Sequence, residues 1–366
     1  MTLSQQNFYM ELAYRMASRA IGTTSTNPAV GCVIVKNNNI ISRGWTQPGG
    51  KPHAEIHAIE QIRDKSILKG AEIYCTLEPC SHYGKTKPCV NSIIRSGIRK
   101  VYIGDIDKNP LVNGIGIKKL KKSKIKTELL FNEDIQNLNN IFFNSKLKKR
   151  PLIVAKIAST LDAKIATISS ESKWITSSLS RMHGHYLRLK SDAMLIGKNT
   201  VLLDNPDLHC RLGGLQSFSP NIFILDTNLE IPVSQNLFKS KKRKIYIFHK
   251  NNIDKKFIKK FKNFNVTLLP ISQKNKLLDI NEAISKMGEQ GVQRVLIEGG
   301  SELITQLISK KLIDKLYWFR AGKLIGKDGL NAVSNLSVSK IKSVKELKLI
   351  DSMQIETDTL EVYERK

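Results

Sequence analysis

Short apolar blocks and amphipathic stretches alternate along the first 145 residues. VGCVIV (30–35), IISRGW (40–45), AEIYCTL (71–77), KVYIGDI (100–106) and KTELL (126–130) carry the strand pattern. Between them HAEIHAIEQIRD, PCVNSIIRSG, GIGIKKLKK and NEDIQNLNNIFFNS repeat apolar positions at helical spacing. The chain opens on a further amphipathic helix, with Phe8, Leu12 and Met16 as its apolar stripe. This alternation predicts an α/β sandwich around a partly parallel sheet, residues 1–145 forming a first domain.

KLKKRP, residues 146–151, is polar and basic, ends in Pro and reads as a linker. The pattern then restarts with strand-like PLIVAKIAST, DAKIAT, AMLIG, NIFILD, KIYIFH, VTLLPI and RVLIEGG. Helical SLSRMHGHYLRLK, INEAISKMGEQG and SELITQLISKKL are interleaved, and DKLYWFRAGKLIG and TDTLEVYERK supply late strands. Residues 152–366 therefore form a second α/β domain. There is no internal repeat.

Composition narrows the class. Apolar residues make up 41% of the 366, enough for real cores, and no run of about 18 of them occurs, so no membrane span is expected. With no secretory signal pattern the protein is expected in the cytoplasm, where thiols stay reduced. Cys32, Cys75, Cys80, Cys89 and Cys210 are thus metal ligands or core thiols rather than a disulfide framework. The formal charge of +27 comes mostly from scattered Lys, as in KKLKKSKIK and KSKKRK. A solvated Lys surface explains it first, acidic substrates such as phosphates second and nucleic acid third.

EPCSHYGKTKPC, residues 78–89, and HAEIHA, residues 53–58, carry the chemistry of the first half. His53, Cys80 and Cys89 suit zinc, and three protein ligands leave one tetrahedral position open, the arrangement of a catalytic site. Glu55 is the adjacent carboxylate that can move protons. The order H-x-E, P-C, C is the zinc-deaminase signature, with eight residues between the cysteines instead of two. Residues two apart on a helix diverge by about 200°, so the motif requires the helix to begin at His53, after Gly49-Gly50 and Pro52. Cys89 then falls at a helix start, which favours a thiolate. His57 reads as a packed helix residue, Cys75 as a core thiol and His82 as a solvated or substrate-facing loop residue. A structural zinc module would instead close the tetrahedron with His82 or Cys75. A nucleic-acid base deaminase would use the same zinc logic and suit the charge.

In the second half no G-x-G-x-x-G follows a strand and no P-loop exists. RVLIEGGSELITQLI gives a strand, a double glycine and a helix start that a phosphate can approach. Thr200, Asp204 and Arg211 are placed on one loop after AMLIG. Arg188 and Arg211 are candidate phosphate clamps, since guanidinium forks match phosphate geometry. Trp174 stacks on a flat ring or caps a core.

NPAVGCVIV, HAEIHA, TLEPCSHYGKTKPC and DKNPLVNGIG, in this order, resemble the deaminase half of the bifunctional riboflavin-biosynthesis deaminase/reductase family, in which a long inter-cysteine loop is normal. VAKIASTLDAKIAT, ESKWIT, GKNTVLLDNP and LIEGGSEL resemble its reductase half. The resemblance implies a cytidine-deaminase-like three-layer α/β/α domain followed by a dihydrofolate-reductase-like α/β domain. It implies one Zn2+ at His53, Cys80 and Cys89, Glu55 as proton shuttle, and Asn27 with the Asp107–Pro110 turn at the pyrimidine. NADPH contacts carry over to Ala158, Trp174, Thr200, Asp204, Thr227 and the run Gly300, Ser301, Glu302, Leu303, Ile304, Thr305 and Gln306. Substrate contacts carry over to Ser172, Arg188, Leu208, Arg211 and Glu298. Lys156, Asp204 and Glu298 are the polar groups available for proton handling. The implied function is deamination at the 2-amino group of 2,5-diamino-6-ribosylamino-4-pyrimidinone 5'-phosphate, then NADPH reduction of ribosyl to ribityl. The expected partner is this phosphorylated pyrimidine, with neither nucleic acid nor membrane, and the chain is expected to form a homo-oligomer.

Overall fold

Ala13 and Ala17 lie against strand Gly31–Lys36 (β1) so closely that a Cβ on Gly31 would stand 1.9 Å from the Ala13 carbonyl oxygen. That contact fixes which face of the first helix, Leu3–Ala20 (α1), is buried: Met10, Ala13, Ala17 and Ala20 point inward. Phe8 is exposed, and Leu12 and Met16 are only half-buried. The helix is where the apolar stripe predicts it, but small residues rather than the large ones form its seam, because only they let two backbones meet. The computed structural model describes residues 2–24, 27–83, 87–109, 112–147, 150–240 and 243–366. Gly84–Thr86 and Pro110 of the quoted motifs, and Lys148–Lys149 of the expected linker, lie outside the described residues.

The chain divides into two compact units, Met1–Lys148 and Lys149–Lys366. In the first, β1 pairs antiparallel with Asn39–Trp45 (β2) and with Glu72–Cys75 (β3). Lys100–Ile103 (β4) and Lys126–Leu129 (β5) continue it in parallel, for the order β2-β1-β3-β4-β5. Helices Ala54–Glu60 (α2), Cys89–Arg95 (α3), Ile115–Lys122 (α4) and Glu133–Leu147 (α5) complete the unit. Cys32, Ile34, Ile73, Val101 and Ile103 bury one face of the sheet with α2 and α3, and Val33, Val35, Tyr74 and Tyr102 bury the other with α1. The alternation of partners along each strand is what makes three layers. Lys146 and Leu147 close α5 rather than opening a linker.

The second unit is a nine-stranded sheet. Strands Val266–Ile271, Ile245–Lys250, Asn221–Leu225, Ala193–Gly197, Arg294–Ile297, Leu152–Thr160 and Lys315–Ala321 run parallel in this spatial order. Asp358–Arg365 and Leu347–Ile355 add an antiparallel edge. The central strands are buried on both faces, as parallel sheets require. Among the elements not legible in the sequence are the mostly exposed edge strand Leu347–Ile355 and two short helices, Lys198–Asp204 and Lys255–Lys259. The first of these helices corrects the expected loop, since Thr200 and Asp204 lie on it and only Arg211 lies in the loop beyond. All five cysteines are unpaired thiols. No helix among the described residues is long and apolar enough to cross a membrane.

Candidate functional site

Helix α2 starts at Ala54, and His53 is its N-cap in extended conformation. This resolves the helical divergence of His53 and Glu55, because His53 stands just before the first turn. The turn is seated on β2, where a Cβ on Gly44 would lie 2.3 Å from the Ala54 carbonyl oxygen. His53 Nδ1 lies 3.5 Å from Cys80 Sγ and 3.3 Å from Cys89 Sγ. All three ligand atoms fall within 4.8 Å of one another. Donors on one tetrahedral zinc, with bonds near 2.0–2.3 Å, stand about 3.5 Å apart, so the donor set fits that ion. Cys89 is the first residue of α3, and its amide donates to Cys80 Sγ at 3.3 Å. The Cys89 thiol, and after it His53, hold the Cys80 thiol far below its ordinary value. Glu55 is 3% exposed. Burial pushes its carboxyl up to about 6, helped by the charge of Cys80 and opposed by that of His53.

His57 is not part of this centre. Its Nδ1 accepts from the Trp45 amide at 3.3 Å and lies 3.0 Å from Gln47 Nε2, and its ring meets Trp45 edge-on. Cys75 faces Cys32 across β1 and β3 in the core, and His82 is exposed. Asn27 donates through Nδ2 to the Gly50 carbonyl at 2.8 Å, tying it to the loop that leads into His53. Asp107 accepts from the Asn109 amide at 2.8 Å, and burial raises its carboxyl.

Glu78, the first residue of EPCSHYGKTKPC, has a structural role that the motif does not reveal. Its buried carboxylate accepts from the amides of Gly114 (2.9 Å) and Ile117 (3.2 Å) at the start of α4. It fastens the Glu78-Pro79-Cys80 segment to that helix, with a Cβ on Gly116 only 2.3 Å from the Pro79 carbonyl oxygen. Glu78→Ala leaves two amides unpaired and is expected to destabilise the first unit by about 1–3 kcal/mol, read as a lowered thermal midpoint. The only sequence signal for it is an acidic residue before Pro-Cys, which says nothing about the helix 36 residues away.

In the second unit Arg188 and Glu298 form a two-pronged pair, Nε to Oε1 at 2.8 Å and Nη2 to Oε2 at 2.7 Å. Arg188 Nη1 donates to the His209 carbonyl at 2.9 Å. Its fork is thus taken up by the protein, whereas Arg211 is exposed. Burial alone would raise the Glu298 carboxyl, but the charge and hydrogen bonds of Arg188 override it and hold the group down to about 2. Lys156 passes near Gly184 and is lowered by burial, with Glu298 opposing that effect. Burial, with Arg188 and Arg211 adding and Glu298 opposing, takes His185 down to about 4, and its Nδ1 accepts from the Arg211 amide at 3.4 Å.

Gly300 is the N-cap of helix Ser301–Ser309, which has no side-chain cap, and nothing lies within 4 Å of where its Cβ would be. An uncapped helix start with open space beside it fits a cofactor phosphate. Leu303 and Ile304 pack into the core behind it, and Thr305 donates to the Ser301 carbonyl and accepts from the Ser334 amide. Trp174 is 63% exposed, with the Arg181 guanidinium 4.4 Å over its ring. Ser172 is exposed, Ala158 half-buried on the central strand, and Thr227 accepts from the Lys250 amide just beyond Asn221–Leu225. Leu208 is buried at positive φ.

A three-layer unit with a His/Cys/Cys centre beside a buried carboxylate, followed in the same chain by a mostly parallel dihydrofolate-reductase-like unit, defines a deaminase joined to a reductase. The family model for the cytidine and deoxycytidylate deaminase zinc-binding region matches residues 3–105, and that for the RibD C-terminal domain matches residues 151–360. The riboflavin biosynthesis protein RibD of Aquifex aeolicus is 36% identical over 335 residues, 91% of either chain. The solved Acinetobacter baumannii RibD, form 1, is 30% identical with a TM-score of 0.87 over 100% of both chains. A diaminohydroxyphosphoribosylaminopyrimidine deaminase/5-amino-6-(5-phosphoribosylamino)uracil reductase from Thermotoga maritima is 31% identical with a TM-score of 0.85 over 99% of both. The chain belongs to the RibD family and is a bifunctional deaminase and reductase of riboflavin biosynthesis. The nucleic-acid deaminase expectation finds no support in these likenesses.

Proposed function

We propose that the first unit removes the 2-amino group of the diaminopyrimidinone ribosylamine phosphate, and that the second reduces the ribosyl group of the deaminated product with NADPH. The observation that carries this is the convergence of His53 Nδ1, Cys80 Sγ and Cys89 Sγ beside the buried Glu55. His53, Cys80 and Cys89 would hold zinc, which when bound acidifies water from pKa 15.7 towards about 7. Glu55 takes the proton from the attacking water and delivers it to the departing ammonia, and its burial keeps it basic enough to do both. Asn27, held at Gly50, and Asp107 with Asn109 orient the pyrimidine ring.

In the second unit the amides of Gly300, Ser301 and Glu302 would hold the cofactor phosphates, and Trp174, Thr200, Asp204, Thr227 and Ala158 would contact the rest of NADPH. NADPH supplies the hydride for C1′ of the ribose. Leu208, Arg211, Ser172 and the Arg188–Glu298 pair hold the phosphoribosyl group, Arg211 offering the guanidinium and Arg188 shaping the loop that carries it. Lys156, whose charge interacts with that of Glu298, is the group we assign to proton delivery.

Mass spectrometry of the diaminopyrimidinone ribotide after incubation tests both steps. Deamination without NADPH and ribose reduction only with it are expected. Chelation of zinc should abolish the first and leave the second, assayed on deaminated substrate, unchanged. Substrate returned intact by zinc-loaded protein overturns the proposal.

A further inference from the structure

Five consecutive residues, Asp207 to Arg211, are pinned from outside by polar contacts to their backbone. Arg243 donates through Nη2 to the Asp207 carbonyl and through Nη1 to the Leu208 carbonyl, the latter at 3.0 Å. Arg188 donates to the next carbonyl, that of His209. The Cys210 amide donates to Ser219 Oγ at 3.0 Å, and the Arg211 amide reaches His185 Nδ1. Three successive carbonyls thus face two guanidiniums, and the two amides that follow face side-chain acceptors. The shape being held is not one the segment prefers: Leu208 sits at φ 55°, a left-handed conformation that is unfavourable for a non-glycine residue.

Arg243 is a poor choice for stability alone. It is 4% exposed, no carboxylate pairs with it among the described residues, and its Nε has no partner there. Burial, and the like charge of Arg188, push its guanidinium down to about 10, with the charge of Asp207 only partly opposing them. Burying a charge this way is unfavourable unless its hydrogen bonds do something an apolar side chain could not. Those bonds fall on the segment that carries Leu208 and Arg211.

We infer that Arg243 is a positioning residue of the reductase reaction: by holding the Asp207 and Leu208 carbonyls it sets the backbone from which Leu208 and Arg211 meet the phosphorylated substrate. This rests on the placement of the substrate at Leu208 and Arg211 proposed above. The residue acts through the loop and touches neither substrate nor cofactor.

The test is steady-state reduction of the deaminated ribotide by full-length R243Q and R243K, with R211A alongside. R243Q is expected to raise the substrate KM about tenfold, with kcat within about twofold and the KM for NADPH unchanged, as for loss of binding shared by ground and transition states. R243K keeps the charge and one donor and should recover part of the affinity. Deamination by the first unit serves as the internal control and should stay at the wild-type rate. Unchanged substrate KM in R243Q overturns the inference, as does a parallel rise in both KM values with a fall in kcat, which would mark a merely structural residue. If R243Q does not accumulate, R243K decides: a raised substrate KM alone supports the role, and wild-type kinetics overturn it. A wild-type enzyme that does not reduce the ribotide, or an R211A variant with unchanged KM, instead refutes the substrate placement itself.

Discussion

Glu55→Gln is expected to lower the deaminase kcat by about 10²–10⁴-fold while leaving reduction of deaminated substrate at the wild-type rate. The substitution is nearly isosteric, so the packing of a 3% exposed side chain at the start of α2 is preserved. What is lost is the ability to accept and return a proton. Glutamine is neutral at every pH and cannot take the proton of the attacking water or give one to ammonia. The ligand atoms of His53, Cys80 and Cys89 are untouched, so zinc content by atomic absorption should equal that of wild type. That combination, metal retained and deamination lost, separates a proton carrier from a metal ligand. Deamination within about threefold of wild type in a zinc-replete variant would remove Glu55 from the mechanism.

Arg188→Ala should destabilise the second unit by about 3 kcal/mol at neutral pH, because it strands the Glu298 carboxylate. The pair is two-pronged and largely buried, with side-chain exposures of 15% and 13%. The sign of its pH dependence follows from Glu298. Its folded value, about 2, lies below its ordinary value of 4.5, so its contribution is fully present above pH 4.5 and is lost as pH falls towards 2. Without Arg188, burial leaves the Glu298 carboxyl raised above 4.5, so the stability gap between wild type and variant should be widest near neutral pH, begin to narrow above pH 4.5 and keep narrowing as pH falls towards 2. Calorimetry of the full chain across this range checks both size and trend. A gap that stays constant as pH falls would mean the variant loses packing rather than an ion pair.

The expected architecture was largely legible because local patterns encode it. β-branched blocks separated by amphipathic stretches allow little but a layered α/β unit, and this holds on both sides of residue 148. The His53, Cys80 and Cys89 cluster was legible for a different reason: few side chains ligate metals, so the order of His, Cys and acidic residues along the chain points to a candidate site even when the spacing is unusual. The exposed strand Leu347–Ile355 was missed because an edge strand with both faces largely wet lacks a clean apolar alternation. The helix Lys198–Asp204 was missed because it buries only Val201 and so shows no apolar stripe at helical spacing.

What the amino-acid order determined by itself is thus the two-unit α/β plan, the residue types of the candidate site at His53, Glu55, Cys80 and Cys89, and the double glycine before a helix start. Each depends on neighbours within a few residues, through steric preference, burial period or ligand type. Tertiary structure alone decided where the charged side chains are spent. Arg188, a natural phosphate clamp by residue type, is bound to Glu298, 110 residues away. Glu78 caps a helix start 36 residues on, and Arg243 holds carbonyls 35 and 36 residues back. Small residues, not large ones, seat α1. A side chain's partner depends on which strand ends the sheet order brings together, and that order is set by the burial of the whole core, which no local stretch of sequence carries.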